Sequence, residues 1–254
     1  MTGGIGWFAE ARALLVKDLR AEMRTRVAVN SVGLFAFTSL LRLALATRGL
    51  REIQTVNILR LPLSGILLGD VQGAMFPAWS GAAKMGLLWI LLCFAAFAGL
   101  AHSFVHEEEA GTVTALQLSM SAEGVYAGKL AFNLLMLTCV AAIVTPFYMG
   151  LTWMPVGRPA PFISTMLAGC LGLGSTATII AALASKARGS GALFGAIGLP
   201  IVTVFLMLLL NAANSLYSPE TTPLRLVQDV GGLFSFGVML IAVSAITFRF
   251  VWEE

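Results

Sequence analysis

A chain of 254 residues that is 58% hydrophobic and only 11% charged cannot wrap a core in water, because soluble domains carry about 25% charged residues. Mean hydropathy is +0.87 and the apolar residues fall in runs of about 20, the length of a helix that crosses a bilayer. That excludes a soluble enzyme, and it excludes a transmembrane β-barrel, whose short alternating strands are not present.

Met1 to Arg26 is charged throughout and lacks the apolar stretch of a secretory signal, so the first span is expected to be its own insertion signal. Within it, Phe8, Ala11, Leu15, Leu19 and Met23 recur at near-helical spacing while Arg12, Lys17, Arg20 and Arg24 take other faces. The pattern predicts a basic amphipathic helix in the cytoplasmic headgroup layer, or a helix packed on a partner, and both can hold together. Residues 1–26 are read as this helix and 27–254 as one all-α domain of six spans, at 27–47, 82–102, 130–152, 162–184, 191–213 and 229–251. Every backbone polar group inside lipid must be satisfied within its own segment, which makes the spans helices.

Links between spans are short except 48–81, whose LPLSGILLG stretch is too short to cross and is expected to lie along the interface or re-enter. Arg12, Lys17, Arg20, Arg24 and Arg26 precede the first span, and Lys186, Arg188 and Arg249 lie on the same predicted side. Arg48, Arg51, Arg60, Lys84, Arg158 and Arg225 lie opposite. The dense N-terminal cluster predicts both termini in the cytoplasm.

The segment 103–133, SFVHEEEAGTVTALQLSMSAEGVYAGKLAFN, joins the second span to the third. Glu107, Glu108 and Glu109 form an acidic cluster at the membrane edge. Gly111 breaks the helix there, and Val113, Leu116 and Met120 share one face of a short helix over 112–120. Ser121-Ala-Glu-Gly reads as another turn. Such a loop is either a solvated connector or a surface that receives force from a cytoplasmic motor.

Other residue patterns favour packing over chemistry. Cys93, Cys139 and Cys170 each sit in an apolar run with no CxxC, so they read as small buried side chains rather than metal or haem attachments. His102 and His106 share a helical face, a spacing that suits a ligand pair but also an amphipathic membrane edge. Arg42 lies about one turn from the outer end of its span, close enough to snorkel. Asn133, Asn211 and Asn214 read as hydrogen-bonding glue between helices, and Gly169, Gly172 and Gly174 as sites of close helix approach. The string Gly124-Val-Tyr-Ala-Gly128-Lys129-Leu130 has the wrong spacing for a phosphate loop and no Ser or Thr after its lysine. ATP hydrolysis is therefore expected in another chain.

The second span and its loop, GLLWILLCFAAFAGLAHSFVHEEEAGTVTALQLSMS, followed by GKLAFNLL, resemble the CcmB family of haem exporter proteins. The resemblance rests on Gly86, Trp89, Phe104, Glu107, Gly111, Leu116, Gly128, Lys129 and Asn133, and on the Leu-Pro centre of the fifth span at Pro200. The chain has Met120 and Val204 where the family often has proline. The resemblance implies an ABC exporter permease in the bacterial inner membrane, with no covalent chemistry of its own. It implies a cytoplasmic CcmA-like ATPase, as a pair of each subunit, and CcmC-like, small CcmD-like and periplasmic CcmE-like haem-handling partners. ATP and haem would be held by those partners, with no cofactor, metal or nucleic acid on this chain. A related permease for a lipid, polysaccharide or drug is the other reading that this architecture allows.

Overall fold

The computed structural model describes residues 6–26, 30, 33–42, 81–100, 118–186 and 191–253. It is all-helical across them. Helix α1 spans Gly6–Thr25 and α2 Gly33–Arg42. Then come α3 (Gly81–Leu100), α4 (Ala122–Thr152), α5 (Pro159–Lys186), α6 (Gly191–Tyr217) and α7 (Pro223–Glu253). Four of them, α4 to α7, are long and apolar enough to cross a membrane. The described parts of the first two predicted spans, α2 and α3, are apolar as well. The chain is a multi-pass membrane protein.

Helix ends differ from the expected limits for local reasons. α1 stops where Arg26 takes a left-handed backbone with φ 54°, its N–H bonded back to the Glu22 carbonyl. α4 begins eight residues earlier than the third predicted span because Ser121 is its N-cap, accepting the Gly124 N–H at 3.2 Å. Ser121-Ala-Glu-Gly is thus the start of a helix and not a separate turn. The hydroxyl satisfies a donor that the first turn leaves free, and Glu123 sits where the helix dipole favours an anion. The far end of α4 closes at Trp153, left-handed at φ 51°.

α5 is the central helix, packed on α3, α4, α6 and α7. It can be central because it is thin. A Cβ on Gly169 would lie inside the Trp89 indole, one on Gly172 would meet Phe205 at 2.7 Å, and one on Gly174 would meet Leu134 at 2.6 Å. Its buried hydroxyls at Thr165, Ser175, Thr176 and Thr178 each bond a carbonyl four residues back, so none of these four is stranded. Met85, Leu88, Trp89 and Leu92 of α3 are fully buried at i, i+3, i+4 and i+7 against Phe205 and Leu209 of α6 and Leu173 of α5. The large exposed apolar side chains, among them Phe94, Ile143, Phe147, Leu167, Met207 and Ile246, form the outer faces expected to meet lipid tails.

The two ends of the bundle differ. At one, Tyr148 donates to the Lys84 carbonyl at 2.6 Å, Lys84 Nζ donates to the Trp153 carbonyl at 3.3 Å, and Ser215 donates to the Asp229 carboxylate. At the other, Leu14 of α1 joins Val125, Tyr126 and Leu130 of α4, Ala181 of α5 and Phe248 of α7 in a second apolar cluster. The N-terminal helix, the end of the long loop and the C-terminal ends of α5 and α7 therefore share one end. This is the relative arrangement that the basic residues predict.

Candidate functional site

The end that collects α1 and the start of α4 combines the second apolar cluster with small and charged residues. With about 1.5 Å of rise per residue, the 31 residues of α4 reach roughly 46 Å, against a hydrocarbon core of about 30 Å. The helix is thus longer than the core is thick, and α1 packs against its first turns at Gly124 and Gly128. The docked face of α1 is Ala11, Leu14, Asp18 and Glu22, all buried. The predicted stripe was differently placed: Ala11 is in the contact, but Phe8 and Met23 are exposed and Leu15 and Leu19 half-buried. α1 therefore has three faces. One is docked, one is apolar and open, and one carries Lys17, Arg20 and Arg24.

On α4 the seat is formed by Gly124 and Gly128. A Cβ on Gly128 would meet the Ala11 carbonyl oxygen and Leu14 Cβ, each at 3.0 Å, so glycine is what allows the backbones this close. Glu10 Oε2 accepts from the Ser121 N–H at 2.9 Å and its hydroxyl at 2.6 Å. The Ser121 hydroxyl bond, and then its N–H bond, hold the Glu10 pKa below the ordinary carboxylate range because both stabilise the anion. Lys129 Nζ lies 2.9 Å from Asp18 Oδ2, with the lysine side chain 2% exposed and the aspartate 10%. That oxygen has no well-aligned hydrogen bond, so the contact is ionic rather than directed. One turn further, Asn133 Nδ2 donates to Thr178 Oγ1 at 2.8 Å. The threonine donates in turn to the Gly174 carbonyl, which joins α4 to α5.

The predicted site residues divide accordingly. Phe104, Glu107, Glu108, Glu109, Gly111, Val113 and Leu116 lie outside the described residues, as do His102, His106 and the 48–80 link. Met120 is half-buried against the second cluster, while Gly128 and Lys129 are buried in α4. Gly86 and Trp89 belong to the core of α3, and Pro200 is an exposed residue inside α6. Of the asparagines, Asn133 is fully buried while Asn211 and Asn214 are exposed. Cys93 and Cys170 are buried, but Cys139 is exposed and so corrects the expectation for all three. No group of three or more metal-ligating side chains occurs among the described residues. Sequence reasoning missed Glu10, Asp18 and Ser121. The available signal was a pair of acids on the inner side of a basic helix, and a serine three residues before a backbone N–H with glutamate nearby.

The family model described as CcmB protein matches residues 72–248, well over half of the chain. The chain belongs to the CcmB family. No curated protein and no solved structure matches it. Family membership makes it the membrane component of a haem-exporting ABC transporter, a permease subunit that is not itself catalytic and works within a Ccm system with an ATPase. The matched span covers Ser121, Gly124, Gly128, Lys129 and Asn133. In this CcmB chain, Gly128 and Lys129 form part of the seat for α1, and Asn133 ties α4 to α5. Trp89 is a packing residue.

Proposed function

We propose that this chain couples ATP hydrolysis by a CcmA-like subunit to haem delivery, or to release of a haem-loaded CcmE-like chaperone, during cytochrome c maturation. The observation that carries the reading is the family match over α3 to α7 together with the chain's lack of a phosphate loop. In this reading two copies pair with two ATPase subunits in the bacterial inner membrane, beside CcmC-like and CcmD-like partners. ATP and haem bind to those partners and no cofactor binds here. The end bearing α1 and the loop faces the cytoplasm, and ATPase closure pushes on the loop that ends at Ser121.

Two measurements test it. In a cysteine-free background, Glu108→Cys should react only with a thiol reagent supplied from the cytoplasmic side. Labelling from the periplasm would overturn both the orientation and the coupling role. Leu116→Asp should cost about 2 kcal/mol of ATPase docking, roughly thirtyfold in affinity, because a helix anchor that fills a partner's groove is replaced by a desolvated charge. Any single Glu→Ala change at Glu107, Glu108 or Glu109 should matter less, and chiefly at low salt, because exposed charges are screened. Co-purification of the ATPase and cytochrome c production are the readouts. If Leu116→Asp leaves both intact at normal expression, the loop is only a connector.

A further inference from the structure

Two anchors hold α1, and their spacing matches. Glu10 and Asp18 are eight residues apart, as are their partners Ser121 and Lys129. Eight helical residues rise about 12 Å, so the contacts fix two separated points along two segments running in the same direction. One contact would leave α1 free to pivot. Two with equal spacing set both its register and its angle. Between them, Gly124 and Gly128 bring the backbones close, and Val125 and Leu14 are sealed from solvent. A glutamate at position 10 is shared by the last loop residue and the α4 N-cap, since Ser121 fills both places. Attraction between Asp18 and Lys129 is strong because both are shielded from water.

We propose that Glu10 and Asp18 are positioning residues that fasten α1 to the first turns of α4, so that α1 and the start of α4 move as one piece. The inference rests on the proposed coupling role for what moves that piece. The fastening itself does not depend on it. Neither acid touches ATP or haem in this scheme; each acts through α4.

The test uses the full complex in native membranes or mild detergent. Asp18→Asn and Glu10→Ala are each expected to speed hydrogen–deuterium exchange of the 10–22 amides at least tenfold. Glu10→Gln, which still accepts from Ser121, should stay within threefold of wild type. The exchanged pair Asp18→Lys with Lys129→Asp should recover at least half of the protection that either single reversal loses, which a merely bulky or helix-favouring role would not produce. Cytochrome c produced per ATP hydrolysed should fall at least fivefold in Asp18→Asn, with the ATPase still co-purifying in wild-type amount. Unchanged exchange in both acid variants, or no recovery in the exchanged pair, overturns the fastening. Lost protection with an unchanged cytochrome-to-ATP ratio overturns the positioning role and leaves the proposed function standing. Failure of the wild-type chain to bring down an ATPase overturns the proposed function, while the exchange measurements still decide the fastening. Should Asp18→Asn not accumulate, Glu10→Ala against Glu10→Gln carries the same decision.

Discussion

Trp89→Ala is expected to lower the stability of the membrane domain by about 3–5 kcal/mol, the range for truncating a large buried aromatic. The indole is fully buried and stands edge-on to Phe205, with ring centroids 6.1 Å apart and an interplanar angle of 79°. It also covers the backbone of α5 at Gly169, where a Cβ would fall inside the ring. The truncation therefore opens a cavity where α3, α5 and α6 meet. Lipid tails are as apolar as the core, so the loss is mainly one of packing contacts. The reciprocal change, Gly169→Val, overfills the same contact and should cost about 1–3 kcal/mol. Thermal unfolding in mild detergent, followed by loss of the monodisperse species, measures both. A midpoint for Trp89→Ala within error of wild type would show that the α3–α5 contact does not hold the bundle together.

Gly128→Val should unseat α1 while the spans remain folded. The new Cβ would press on the Ala11 carbonyl oxygen and Leu14 Cβ at 3.0 Å. A backbone carbonyl cannot move aside as a flexible side-chain tip can, so α1 must shift as a whole. Overpacking of this kind costs about 1–3 kcal/mol. The expected readout is rapid protease cleavage within 6–25, with the thermal midpoint of the spans little changed. Gly150→Ala is the control, since no atom lies within 4 Å of its added Cβ and neither readout should move. Equal protease resistance in Gly128→Val and wild type would mean that α1 does not depend on this seat.

Sequence and structure divide the knowledge of this site along physical lines. Runs of about 20 apolar residues identify α4 to α7 as membrane helices without any coordinates, because hydropathy and backbone satisfaction in lipid are local properties. The GKLAFN pattern and the missing phosphate loop were equally readable, as were the thin glycines of α5. What Gly128, Lys129 and Asn133 do was not, because their partners Ala11, Leu14, Asp18 and Thr178 lie 45 to more than a hundred residues away. The amphipathic pattern of α1 was legible, but the stripe drawn through Phe8, Ala11, Leu15, Leu19 and Met23 was rotated from the docked face. Periodicity weighs apolar residues, and the docked face includes Asp18 and Glu22, which hydropathy assigns to water.

The all-helical multi-pass architecture and the resemblance to the CcmB family are legible along the chain itself, since span length and motif spacing are local properties. Only the tertiary structure decided that α1 belongs to α4. A lysine is stably buried at position 129 when a carboxylate from a distant helix stands 2.9 Å away. Ser121 is the start of a helix and not a turn when its hydroxyl caps Gly124 and its own donors reach Glu10. Both depend on groups brought together by packing, which no local window of sequence contains.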